Sequence, residues 1–399
     1  MRSPRISEKL DWLFSFLVTL CVVTVFIREA FAAPIRCHAP AFWYVPDGLL
    51  ILCVVMFFAV GMFARYQGIL ALITVSLLII GIGLLQIQAK SVIFATRYIL
   101  SFCLGSIAAS CSLFDSKRFR FFVGATTFVL AGSIAYDYWF GFSWPESKFM
   151  NVLGPVTEIQ RTWWREGGER RIPGFAIAST DAALFIACSL TAFVFPRCPK
   201  AFFKSLLYVM PVYYSLLLTK QVATTLWVGL LLTLFAVVSF IRLTVQQVGT
   251  LFKVMAVLAL LACALSPFLL SGLDIGNFLG FSGSSLNERS NDVWIRAIDR
   301  SLSFPTLVIG DGLGSIGQAA TFTSETMAEV PDNAFLFFMI QFGALALFAF
   351  IFALYIVCRS DPRLAGSGSA LALIAFLGFN GITANIGNNA VACLFLGYV

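Results

Sequence analysis

The chain has 399 residues, 59% of them hydrophobic and only 12% charged, with a formal charge of +7. A soluble domain carries about 25% charged residues, so a soluble globular fold is excluded. The cations are scattered between apolar runs, which is no footprint for nucleic acid, and one histidine without a C-x-x-C pair gives no basis for a zinc or redox centre.

Apolar runs of bilayer-crossing length, about 17–25 residues, recur from one end of the chain to the other. They predict twelve spans, near 10–32, 48–63, 69–86, 91–113, 121–138, 174–195, 205–219, 222–241, 254–271, 333–357, 370–384 and 386–398. The expected fold class is an all-α polytopic membrane protein with about 12 transmembrane helices. It forms a single transmembrane domain over 1–399, interrupted by long polar loops at 140–173 and 272–332. The last two runs are short and also fit a hairpin that crosses only partway. Arg2, Arg5 and Lys9 before the first run resemble a signal peptide, but no cleavage site follows, so the run reads as a retained first span.

Orientation follows from Lys and Arg in the short connectors. With the N-terminus inside, fourteen of the 27 cations fall on the inner side, five fall in or near the short outer connectors, and eight lie in the two long loops. Long loops cross despite their charge. Both are therefore expected outside, which in a bacterial inner membrane means the periplasm, with the N-terminus cytoplasmic. No internal repeat is visible, which removes the usual support for an inverted-repeat transporter. Arg97 lies inside the fourth run, where it could pair with a carboxylate or face a cavity.

The first long loop carries Arg161, Trp163, Trp164 and Arg165, then Gly167-Gly168, Arg170 and Arg171. The tryptophans suit a membrane interface. A short helix would put Arg161 and Arg165 on one face, where they could meet lipid phosphates or a substrate. Arg171 abuts a span that carries Thr180 and Asp181 near its outer end, and an intramembrane carboxylate is costly and usually has a reason. In the second loop Arg289, Arg296 and Arg300 share one face of a helix, with Trp294, Ala297 and Ile298 on the other. Either this is an amphipathic surface helix with Asp292 paired to Arg296, or its cations face a phosphate-bearing substrate. Gly310-x-Gly312-x-Gly314 lacks a βαβ context and reads as a tight turn with exposed backbone N–H groups. Pro331-Asp332-Asn333 opens the tenth span. Two roles fit Asp332, a helix cap or a general base at the mouth of a cavity.

These stretches, in this order, resemble the bacterial O-antigen ligase and polymerase family, over roughly residues 165–350. The resemblance rests on Arg289 to Trp294, Phe304-Pro305, Gly310-x-Gly312-x-Gly314 and Asp332-Asn333-x9-Gly343, on Arg171-x-x-Gly174, and on Leu218-Thr219-Lys220. Asp332 stands where the family's ligases carry His, Ala346 where the second Gly of the helix motif is expected, and Lys220 near an expected Arg. The histidine departure favours the more variable polymerases.

The family implies a lipid-sugar glycosyltransferase of the GT-C type. It moves a glycan from a polyprenyl diphosphate donor onto a sugar hydroxyl, with neither metal nor cofactor. The implied partners are that lipid-linked oligosaccharide and a glycan acceptor, membrane lipids, a chain-length regulator and a flippase. Asp332 is then the expected base, with Arg171, Lys220 and Arg289 gripping the diphosphate. Arg170, Arg296, Arg300, Asn333, Arg161 and Arg165 are expected to bind substrate. An O-antigen ligase or protein O-oligosaccharyltransferase remains as an alternative, and, from another class, a flippase or exporter of lipid-linked sugar.

Overall fold

The computed structural model describes residues 4–59, 67–142, 144, 148–150, 156–158, 163–164, 170–194, 202–241, 244–273, 287–322, 331–361, 367–384 and 386–399. Among these the chain is almost wholly helical. Six helices are long and apolar enough to cross a membrane. They are α1 (Pro4–Ala30), α3 (Val45–Ala59, with the 3-10 turn before it), α4 (Gln67–Gln86), α5 (Ala89–Ser110), α6 (Lys117–Phe140) and α10 (Val245–Leu270). Between α1 and α3 lies the short α2 (Ala32–His38). The remaining apolar runs before the second long loop form α7 (Ser179–Ser189), continued by a π turn over Leu190–Val194, α8 (Phe202–Leu218) and α9 (Val222–Ile241). The second long loop contributes α11 (Trp294–Leu302) and α12 (Thr306–Ile309).

The run expected as a single span at 333–357 is two helices, α13 (Ala334–Phe342) and α14 (Ala344–Arg359). They break at Gly343, which holds φ at 54°, a region costly for any residue with a Cβ. A Cβ there would lie 2.7 Å from the Thr306 carbonyl oxygen and 2.6 Å from the Gly310 nitrogen. The break is thus packed against the second long loop. The last two runs become α15 (Ser367–Gly381) and the nine-residue α16 (Ala390–Tyr398), with a 3-10 turn at Ile386–Asn388 between them.

Small residues let two helix pairs approach closely, as is common where lipid supplies no hydrophobic drive between helices. α5 and α16 meet at Gly105 and Gly397. A Cβ on Gly105 would fall 1.9 Å from the Leu394 carbonyl oxygen, and one on Gly397 would fall 1.8 Å from that of Phe102. The Ser106 hydroxyl donates to the Gly397 carbonyl at 2.7 Å and fixes the register. α10 and α15 meet in the same way at Ala259 and Gly378. Around these seams Phe26 packs edge-on against Phe119, Phe185 and Phe395. Part of the chain's large phenylalanine complement therefore fills the protein core as well as meeting lipid.

Both long loops gather at the end of the bundle where α1, α4, α6, α8 and α10 finish. Backbone bonds join Ala33 to Phe175 (2.9 Å), Ile172 to Leu218 (3.4 Å) and Gly272 to Ser290 (3.0 Å) at this end. In the first loop β1 (Lys148–Met150) pairs antiparallel with β2 (Val156–Glu158), and β3 (Trp163–Trp164) pairs with β4 (Arg170–Arg171). The expected short helix through Arg161 and Arg165 is therefore a strand at its centre. Two adjacent bulky aromatics favour a pleated surface over a helix. Arg161 and Arg165 themselves lie outside the described residues.

Candidate functional site

At the loop-bearing end the first candidate group is an ion pair. The Arg289 Nε and Nη2 both donate to Oδ2 of Asp332 at 2.9 Å, across 43 residues of sequence. Arg289 opens a π-helical turn (Arg289–Val293) before α11, and Asp332 stands two residues before α13. The Asp332 side chain is 45% exposed, and its Oδ1 has no hydrogen-bond partner among the described residues. Asp332 is not the helix cap. That role falls to Asn333, whose Oδ1 accepts from the Leu336 N–H at 3.0 Å. The Asn333 Nδ2 donates to the carbonyls of Cys263 (3.0 Å) and Ile382 (3.3 Å). Asn333 is fully buried, with both ends of its amide committed to structure, so the expected substrate contact is replaced by a structural one.

The cationic face expected on 289–300 is divided. The π turn breaks the helical register, and each arginine finds a carboxylate. Arg296 pairs with Asp292 on the exposed side. Arg300 meets Asp311 at 2.6 Å, and Asp311 also accepts from the Thr306 hydroxyl. The apolar face is as expected: Trp294 is fully buried and packs with Ala297 against Leu336, Phe337 and Ile340 of α13.

The Gly310-x-Gly312-x-Gly314 turn carries positive φ at all three glycines. Three of its N–H groups are taken up by backbone carbonyls. Gly310 donates to Thr306, Asp311 to Ile340 and Gly312 to Gln341. A Cβ on Gly312 would meet the Gln86 side chain at 2.6 Å, and one on Gly314 would meet the Ser91 carbonyl at 2.8 Å. The glycines seat this loop on the α4–α5 corner, and nothing there resembles a phosphate cradle.

The second candidate group surrounds the α8–α9 turn. Lys220 closes it in the left-handed region, with φ at 56°, uncommon for a residue with a side chain. The bond from the Ile172 N–H to the Leu218 carbonyl lays the Arg170–Arg171 strand beside this turn. Gln221 donates to the Ser179 and Thr180 hydroxyls at 3.0 and 3.1 Å, and Asn389, the cap of α16, donates to Asp181 at 3.0 Å. Arg170 pairs with Asp137, a fully buried carboxylate at the end of α6, at 3.1 Å. The Thr224 hydroxyl donates to Asn380 (2.9 Å), near the Ile382 carbonyl that Asn333 holds. The tip of α15 thereby ties the Lys220 turn to the Arg289–Asp332 pair.

A third group, Arg97 apart, was not singled out from sequence. Arg28, fully buried, is held between Glu29 (2.9 Å) and Asp47 (2.6 Å). The Arg36 guanidinium lies 4.1 Å from the centre of the Trp43 ring, on which Arg28 also borders. Arg97 lies over Phe94 at 3.7 Å and donates to the Tyr98 hydroxyl at 2.9 Å. It pairs with no carboxylate among the described residues. The available signal was a charged Arg28-Glu29 pair closing an apolar run, with Asp47 opening the next.

Among the described residues no three His, Cys, Asp or Glu side chains gather as a metal ligand set. The arrangement offers a tethered, accessible carboxylate, cations on the α8–α9 turn and the Arg170–Arg171 strand, and a separate buried ion pair of Arg28 with Asp47. No family model, characterised protein or solved structure matches the chain.

Proposed function

We propose that this chain is a membrane glycosyltransferase that extends a bacterial surface polysaccharide at the periplasmic face of the inner membrane. The donor is a glycan on a polyprenyl diphosphate and the acceptor is a sugar hydroxyl. In this reaction the acceptor oxygen attacks the anomeric carbon, and the bond from that carbon to the diphosphate breaks. The departing diphosphate takes the electron pair, and the hydroxyl proton passes to a carboxylate base. The leaving group is already good, so the residues need only supply cations for it and a base for the attacker.

The observation that carries this reading is the Arg289–Asp332 pair. One carboxylate oxygen is gripped at 2.9 Å by the guanidinium and the other has no hydrogen-bond partner among the described residues. A base must be held and still reach its substrate, and this one is anchored beside the rigid, capped start of α13. Lys220 adds support. Strained backbone at a non-glycine residue concentrates at working sites, and this lysine adjoins the strand that carries Arg171. Arginine grips phosphate bidentately and lysine acts as a point charge, so Arg171, Lys220 and Arg289 are the assigned diphosphate ligands.

The test is reconstitution of purified protein with a synthetic polyprenyl-diphosphate oligosaccharide, reading polymer length on gels. A general base contributes about 10²–10⁴-fold, so Asp332→Asn should abolish the ladder, with Arg171→Ala and Lys220→Ala lowering the rate. Activity should survive EDTA. Ladders unchanged in Asp332→Asn would remove the base assignment. In cells, loss of the chain should leave single repeat units on the acceptor, whereas a bare acceptor would indicate a ligase. Transfer of lipid-linked sugar across vesicles without bond formation would indicate a flippase.

A further inference from the structure

A cavity of about 80 Å³ opens at the other end of the bundle, away from both long loops, between α6, α7 with its π turn, and α8. A single water needs about 10–15 Å³ by this measure, so the space fits a polyatomic group. Arg120, Thr127, Ser189 and Tyr208 supply its polar lining, and Val123 and Phe193 its apolar wall.

Two of the polar groups are committed. The Thr127 hydroxyl donates to the Val123 carbonyl (2.8 Å) and the Tyr208 hydroxyl to that of Gly124 (2.5 Å). Two are not. Ser189 is 3% exposed, and its Oγ has no partner among the described residues. Helical hydroxyls at Ser76, Ser101 and Thr126 bond back to the carbonyl four residues earlier, and Ser189 does not. The Arg120 Nε is likewise buried and has no partner among the described residues, while its Nη2 donates to the Asp115 carbonyl at 2.9 Å and steadies the guanidinium. An unsatisfied buried polar group costs about 1–3 kcal/mol.

The local field favours an anion. Lys117, Arg118 and Arg120 crowd the first turn of α6, where the helix dipole is already positive. Ser116 provides no side-chain cap there. Arg120 and Thr127 are seven residues apart on α6, about 10 Å along its axis, so the cavity runs from a cationic rim into an apolar wall. Basic pockets between membrane helices take phospholipid headgroups.

We propose that this cavity is a binding site for an anionic phospholipid of the surrounding leaflet. Its phosphate would accept from Arg120 Nε and Ser189 Oγ, and its apolar part would lie along Val123 and Phe193. The site is separate from the Arg289–Asp332 end, and its test does not depend on the transferase reading.

Delipidated full-length protein in detergent would be titrated with phosphatidylglycerol, phosphatidylcholine or inorganic phosphate. Bound species would be read by native mass spectrometry on the monodisperse fraction. One phosphatidylglycerol should bind saturably, at least tenfold tighter than phosphatidylcholine. Arg120→Gln should weaken it about tenfold or more, and the near-isosteric Ser189→Ala a few-fold. Equal binding of the two lipids would overturn the proposal, as would an unchanged affinity in both variants. Competition by millimolar inorganic phosphate at the same stoichiometry would assign the site to a free anion instead.

Discussion

α4 and α13 are both strongly apolar, yet they meet different surroundings. Only 22% of α4's membrane-length stretch is buried, and Gly68 and Gly81 face open space. In α13 nearly every residue is buried, as in α7 and α16. A 20-residue helix at about 1.5 Å per residue spans the hydrocarbon core of about 30 Å and satisfies its own backbone. Helices of nine or eleven residues cannot span it, and their ends would be intolerable in lipid. They persist here because protein surrounds them and side chains satisfy their ends: Asn333 caps α13 and Asn389 caps α16. Hydrophobicity thus means exposure to lipid in one region and enclosure by other helices in the next.

The largest effect expected from this contrast is at the α5–α16 seam. Gly105→Leu should give no monodisperse protein on size exclusion, since even a Cβ would overlap the Leu394 carbonyl. Gly81→Leu on α4 should purify like the parent. Equal behaviour of the two would erase the distinction. Next comes Asn333→Ala, which removes a cap and two interhelical bonds and should cost about 2–3 kcal/mol, seen as a lowered unfolding midpoint in detergent. Asn389→Ala removes a cap and the Asp181 contact and should cost about 1–2 kcal/mol. Parent-like melting of both asparagine variants would mean the short helices are held by packing alone. Smallest is Arg296→Ala. Its pairing with Asp292 is half exposed on both sides, and such pairs contribute about 0–1 kcal/mol, so a shift within error is expected.

The same contrast explains what could be read from sequence. The runs at 69–86 and 91–113 lie within a few residues of α4 and α5, because a helix that crosses lipid is defined by apolar length alone. The run at 333–357 concealed its break, since Gly343 sits among apolar residues and its positive φ depends on Thr306 and Gly310 arriving from elsewhere. Arg289 and Asp332 were both legible as candidates, for unrelated reasons. That they touch is a tertiary fact, 43 residues apart. The glycine-rich turn was legible as a turn, but what its N–H groups bind depends on the end of α13. The Trp163-Trp164 strand had a signal in the Gly167-Gly168 that follows it, yet the arginine spacing pointed to a helix. Arg28, Glu29 and Asp47 went unread because charges at the ends of apolar runs ordinarily meet headgroups.

The Ser106–Gly397 contact joins positions 291 residues apart. During synthesis α5 enters the membrane long before its partner exists, and the groove carved by Gly105 must stay vacant or borrow lipid in the meantime. The α5–α16 seam therefore closes only after the 291 residues that separate these two positions have been made. Until then the half-built bundle depends on insertion machinery or bilayer to shield a notch shaped for a helix not yet made.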